Sequence, residues 1–317
     1  MVESSLRGTR GVSMFWLRVL AIATLISTLG LIVLGSAVRV TDSGMGCRGW
    51  PLCTGAQGSI SSFHPIMEES HRLLASLVTV LIVTLAWCVR RNVRAVHLRG
   101  PAMAAVAVIV LQIVLGAVTV FANNAPFSVA LHLLAATLFL GVASVLAVAA
   151  FIDPSSSWSL RRGPTRLATS AVTSLYFVVI SGSIVVNAGA QSACPAWPAC
   201  GRSSSQFGVV VIQMVHRSVV LAGSVLVVAF LVGLLRRASS NHALRILASV
   251  ALSLFAIQVA VGAMSAIWST HTEIADVHLA VASMLWSSVV ATFALTAAGP
   301  TGGDGALTSR TRLHQGT

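Results

Sequence analysis

The chain of 317 residues has no lysine, one tyrosine and only 8 acidic residues, and charged residues of both signs make up just 9% of it. Ordinary soluble domains carry about a quarter charged residues, so this scarcity excludes a water-soluble globule. Disordered chains are poor in apolar residues; here these reach 56%, with a mean hydropathy of +0.89, which excludes disorder as the chain's general state. All 20 basic residues are arginine, for a formal net charge of +12. The missing lysine carries no functional weight. A basic chain points to nucleic acid only where positive charge gathers on a binding face, and these arginines stand in short clusters between long apolar runs. The partner that the composition implies is the lipid bilayer, with no nucleic acid.

A helix that crosses the hydrocarbon core needs about 20 mostly apolar residues. Eight stretches qualify, at 15–38, 69–89, 101–122, 127–151, 167–189, 208–235, 243–267 and 273–297. None alternates as a barrel strand does. The first is too long for a secretory signal and lacks the small-residue cleavage pattern. The sequence therefore predicts an all-α integral membrane protein with eight transmembrane helices. Arg7, Arg10, Arg18, Arg90, Arg91, Arg94, Arg99, Arg161, Arg162, Arg166, Arg236, Arg237, Arg245, Arg310 and Arg312 place 15 of 20 arginines on one side. That side is expected to be cytoplasmic, with both termini inside a plasma membrane. Loops 39–68 and 190–207 and short turns near 123–126 and 268–272 fall on the other face.

Internal repetition organises the spans. Cys47-Arg-Gly-Trp-Pro-Leu-Cys53 matches Cys194-Pro-Ala-Trp-Pro-Ala-Cys200 at an offset of 147 residues, and His71-Arg72 matches His216-Arg217 at 145. Leu111-Gln112 with Gly116 matches Ile257-Gln258 with Gly262, and His132-Leu133 matches His278-Leu279, both at 146. An even number of spans per unit predicts two parallel-repeat four-helix bundles. The expected division is an N-terminal half over 1–152, a cytoplasmic linker over 153–166, a C-terminal half over 167–298 and a disordered tail over 299–317.

Each cysteine pair lies in a loop on the non-cytoplasmic face, where disulfides persist, and a seven-residue loop can bring the sulfurs together. Zinc fits poorly, because its paired ligands usually stand two to four residues apart. Disulfides Cys47–Cys53 and Cys194–Cys200 are expected, and spacing does not say whether either is redox-active. Cys88 reads as an inert core residue.

Of nine histidines, His64, His97, His242, His271 and His314 fall in loops or the tail. His71, His132, His216 and His278 each sit a few residues inside the same end of an even-numbered span, roughly 5–12 Å below the interface. Intramembrane ionisable groups default to functional hypotheses, against the plainer alternative of separate interhelical hydrogen bonds. Two histidines on facing helices can clamp a haem iron, whereas zinc or copper would find only two protein ligands per half. Arg39, Arg72 and Arg217 can pair with haem propionates or anchor helix ends at the headgroups. Glu68, three residues before His71, shares its helical face; Gln213 holds the same place before His216. A carboxylate there can take protons or stabilise positive charge, an amide cannot ionise, and a solvated helix-start acid is the plainer alternative. Glu69 points elsewhere, and Glu273 and Asp276 favour the N-terminus of the eighth span.

Gly35-Ser-Ala-Val-Arg-Val-Thr-Asp-Ser-Gly-Met-Gly-Cys-Arg-Gly-Trp-Pro-Leu-Cys53 resembles the signature that follows the first span of haem A synthases. Glu68-x-x-His71-Arg72, His132, His216-Arg217 and His278 are similar to that family's other motifs, and the resemblance covers about residues 15–297. It implies an eight-span oxidoreductase acting on CH or CH2 groups, which converts the C8 methyl of haem O to a formyl through hydroxylation with water-derived oxygen. It also implies that His216 and His278 ligate a resident haem b, that His71 and His132 flank substrate haem O, and that Glu68 is the catalytic carboxylate. Cys47 and Cys53 match the family's redox-active pair, and Cys194 and Cys200 a second pair found in part of it. Haem O synthase as donor, an electron acceptor the sequence does not name, and cytochrome c oxidase assembly as recipient complete the implied partners. Asp42 where glycine is commoner, and Arg48-Gly49 in place of Pro-Asp, depart from the pattern without touching a ligand. The alternative function is a duplicated bis-His membrane cytochrome for electron transfer, which would leave the Glu68/Gln213 difference idle. A haem transporter would need broken helices in matching positions, and none is evident.

Overall fold

A computed structural model describes residues 12–53, 55–56, 62–154, 158, 163–237, 241–268 and 272–298. Its helices are α1 (Met14–Val40), α2 (Phe63–Arg91), α3 (Arg99–Phe121), α4 (Pro126–Ala149), α5 (Gly163–Asn187), α6 (Phe207–Arg237), α7 (His242–Ile267) and α8 (Thr272–Ala297). Among the described residues eight helices are long and apolar enough to cross a membrane, and the protein is a multi-pass helical membrane protein. Among the described residues the only strands are β1 (Cys47–Arg48) and β2 (Gly55–Ala56), an antiparallel pair with Cys47 opposite Ala56. Linker residues 155–157 and 159–162, the tail 299–317, and Arg7, Arg10, Arg161, Arg162, Arg310 and Arg312 lie outside the described residues, as do His271 and His314.

Every expected span is a helix, but α2 starts earlier than its hydropathy suggests. Ser62 stands extended at its N-cap, and Pro65 is tolerated in the first turn because amides there lack intrahelical partners anyway. His64 is therefore helical rather than in a loop, and its Nδ1 meets Ser43 Oγ at 2.9 Å. His242 likewise opens α7, where the Asn241 side chain accepts from Leu244 N–H at 3.0 Å. His97 lies in the 3-10 turn Val93–Leu98, with Nε2 beside Ala149 O at 3.2 Å. Arg18 Nε donates to the neighbouring Ala150 O at 3.0 Å, so carbonyls closing α4 find partners the helix cannot supply.

Lipid tails are as apolar as leucine, so these helices associate through close packing and internal hydrogen bonds rather than through apolar burial. Large side chains accordingly face outward along α2 (Leu73, Val80, Val83, Trp87), while small ones such as Ala102, Ala105, Ala143, Ala147, Ala248 and Ala251 are buried. Buried hydroxyls bond back to their own helix, as Thr28 does to Thr24 O at 2.7 Å and Thr292 to Ser288 O at 2.7 Å.

Helices α4 and α8 pack on each other, and each also touches α1 and α5. Ile32, Leu140, Trp286 and Val290 form the cluster at this junction. Gly141 leaves room for the indole, since a Cβ there would stand 3.1 Å from Trp286 Cζ2, and the indole N–H donates to Thr137 O at 2.8 Å. Ser144 and Ser287 pair at 2.9 Å, Tyr176 OH donates to Leu134 O at 3.1 Å, and Ser36 Oγ donates to the Asp276 carboxylate across α1 and α8. The Asp276 carboxylate thus has an internal partner within the span. Trp286→Ala should lower unfolding stability in detergent by about 3–5 kcal/mol, and Trp286→Phe by about 1 kcal/mol, measured by denaturant titration. Equal losses would show that the hydrogen bond, not ring volume, holds the junction.

Candidate functional site

His71, His132, His216 and His278 all lie at the end of the bundle that carries the cysteine loops. Each ring packs against a glycine of the preceding helix. A Cβ added to Gly35 would stand 2.9 Å from His71 Cε1, one on Gly116 3.3 Å from His132 Cε1, one on Gly182 3.3 Å from His216 Cε1, and one on Gly262 3.1 Å from His278 Cε1. The missing side chains are therefore the slots that the imidazoles fill. Gly116 and Gly262 were legible as repeat partners. Gly35 and Gly182 stand at the cysteine offset of 147 and carried the same signal.

The rings differ in their partners. Among the described residues, Nδ1 of His71 and of His132 is buried without a hydrogen bond. His216 Nδ1 meets Ser181 Oγ at 2.8 Å. Gln258 Nε2 stands 3.4 and 3.3 Å from the two nitrogens of His278, while Gln112 Nε2 donates to His132 O at 3.0 Å.

Glu68 is 4% exposed, in the second turn of α2. Its Oε2 accepts the Cys47 N–H at 2.8 Å, and its Oε1 pairs with Arg72 Nη2 at 2.5 Å. A solvated helix-start carboxylate is thereby excluded. Arg72 Nη1 also donates to Gly49 O at 2.9 Å and Pro51 O at 3.3 Å, within the first cysteine loop. Gln213 is buried at the corresponding place in α6. With no carboxylate beside it, Arg217 gives its donors to the second loop: Ala196 O at 2.7 Å, Ala199 O at 2.9 Å, Pro198 O at 3.0 Å and Cys194 O at 3.2 Å. Both arginines hold loop carbonyls rather than standing free at a headgroup layer, and Arg39 is the exposed one of the three.

Cys47–Cys53 and Cys194–Cys200 are disulfides, with Cα–Cα separations of 5.0 and 4.4 Å, and both loops turn at a cis Trp-Pro bond. Cys88 is free and half-buried. Glu69 turns away from the His71 face toward the first disulfide, with Oε2 4.0 Å from Cys47 Sγ. Cys47, Cys53 and Glu69 are the one group of potential metal ligands clustered among the described residues, but both sulfurs are committed to the disulfide. The donor set fits a haem better. Each half offers two imidazoles, each seated against a glycine, and a porphyrin iron takes at most two ligands from a protein; in the first half the buried Nδ1 atoms have no hydrogen bond among the described residues.

The family model described as cytochrome oxidase assembly protein, COX15-CtaA, matches residues 18–62 and 66–290. The chain is similar to the heme A synthase of Geobacillus thermodenitrificans, 33% identical over 221 residues that cover 66% of this chain and 68% of that protein. It is also similar to the heme A synthases of Alkalihalophilus pseudofirmus, 27% identical with 86% and 95% covered, and Symbiobacterium thermophilum, 32% identical with 78% and 85% covered. Alkylation of the unfolded, unreduced protein should modify one cysteine, Cys88, and after reduction all 5, as read by intact mass.

Proposed function

The chain belongs to the COX15-CtaA family of cytochrome oxidase assembly proteins, and from that premise we propose that it is a haem A synthase, an oxidoreductase that turns the C8 methyl of haem O into a formyl group. The carrying observation is one carboxylate. Glu68 is buried on the His71 side, and neutral Gln213 takes its place beside His216. A reaction centre needs a group that ionises; a cofactor holder does not.

In this reading residues 1–152 and 167–298 form two four-helix units joined by 153–166. The repeated glycine–histidine contacts and the clustering of arginines support it, with the cysteine loops outside the plasma membrane and the termini in the cytoplasm. His216 and His278 would hold haem b, with Ser181 and Gln258 against their rings. Haem b, when bound, supplies one-electron transfer. His71 and His132 flank substrate haem O, supplied by a haem O synthase and entering laterally from the bilayer, where its farnesyl tail already resides.

Conversion of a methyl and a water to a formyl releases four electrons and four protons. The electrons leave to an acceptor, and the protons need a base near the methyl. Glu68 takes them one at a time at its carboxylate oxygens. Arg72 holds that carboxylate in place through Oε1, and the Cys47 N–H does the same through Oε2. The first disulfide fixes that N–H by closing β1 onto the loop. A duplicated electron-transfer cytochrome is disfavoured, because it needs neither Glu68 nor any difference between the two histidine pairs.

Glu68→Gln should keep haem b and lower haem A formation by at least ~100-fold, read by pigment extraction and mass analysis of protein expressed with and without a haem O supply. Normal haem A output would overturn the assignment. Two haem b per chain, indifferent to haem O, would establish the electron carrier instead.

A further inference from the structure

We propose that Ser181 is a positioning residue that fixes His216 in its Nδ1–H tautomer, presenting Nε2 as a lone pair for iron, and that the first histidine pair lacks this device so that its occupant can leave. The inference rests on the haem-holding role given to His216 above.

Ser181 Oγ lies 2.9 Å from Val178 O and 2.8 Å from His216 Nδ1. A hydroxyl has one proton, and a carbonyl can only accept. With that proton on Val178 O, the oxygen's lone pair faces Nδ1, which must then carry the hydrogen. Nε2 is left unprotonated, the state an axial ligand requires. A donated Nδ1–H also fixes ring orientation and raises ligand basicity. Gly182, the next residue, supplies the slot for the same ring, with its Cβ position 3.3 Å from His216 Cε1. Of these two consecutive residues, the glycine thus gives the ring space and the serine gives it direction.

In α1 the corresponding pair is Leu34-Gly35. The slot persists, tighter, at 2.9 Å to His71 Cε1. The hydroxyl is gone, and among the described residues Nδ1 of His71 is buried without a hydrogen bond. A ring with no partner on Nδ1 exchanges between tautomers and binds iron as a weaker ligand. Such a ligand suits a substrate that must depart as product, and Ser181 suits a cofactor that must stay.

The test uses full-length protein in detergent and measures the rate of haem b transfer to excess apomyoglobin together with the low-spin electron paramagnetic resonance signature of the bound haem. Ser181→Ala should lose haem b about tenfold faster and shift the signature, and Ser181→Thr should restore both. Wild-type transfer rate and spectrum in Ser181→Ala, in protein where His216→Ala abolishes haem b binding, would overturn the proposal and leave the haem b assignment standing. Full haem b retention in His216→Ala would remove the assignment itself. Should Ser181→Ala not fold, Leu34→Ser decides: slower departure of haem from the first pair supports the mechanism, and an unchanged rate overturns it.

Discussion

The contact between an imidazole ring and a missing side chain governs the rest of this structure. A histidine set between two helices inside a bilayer needs space, and each preceding helix supplies it by having no Cβ at the facing position. Once the ring is seated, the rotation of its helix about its own axis is fixed. The residue after His71 and after His216 is then an arginine aimed at the loop overhead, and the residue three before is Glu68 or Gln213, turned inward. The loop carbonyls fold onto the arginine, and in the first loop this brings the Cys47 amide onto the Glu68 carboxylate. A single steric fit thereby sets the disulfide loop, the guanidinium and the acid in order.

The same arrangement recurs around His71 and His216 with few atoms changed. Where α2 has a carboxylate, Arg72 divides its donors between that acid and two loop carbonyls. Where α6 has an amide, Arg217 turns wholly to its loop and meets four. Ser181 against Leu34 is the second difference, and it lies on the helix that supplies the ring's slot. A carboxylate near one histidine and a hydrogen bond on the other are local differences confined to single side chains.

Much of this was legible in the sequence, for definite reasons. Eight apolar runs exceed the bilayer's thickness, so the spans could be counted, and the four histidines stood out because ionisable groups are rare there. The start of α2 was hidden because His64, Pro65 and Glu68 lower the hydropathy of a segment that is nonetheless helical. The glycine slots were harder to see, since 25 glycines occur and only helix rotation shows which of them face a ring. The arginine clamps escaped for a related reason: their partners are backbone carbonyls, which leave no trace in residue identity. Ser181 was invisible until its neighbours were placed, because serine in an apolar helix usually bonds only to its own backbone.

Glu68 and Gln213 differ by one oxygen in place of an NH2 group, and in the genetic code glutamate and glutamine codons differ only in their first base. A single point mutation therefore separates a helix with a carboxylate three residues before its histidine from one with an amide there. The ring slot does not depend on that base, whereas the arginine does: it meets the acid in the first half and only loop carbonyls in the second. One nucleotide step thus decides how the guanidinium beside each ring divides its donors.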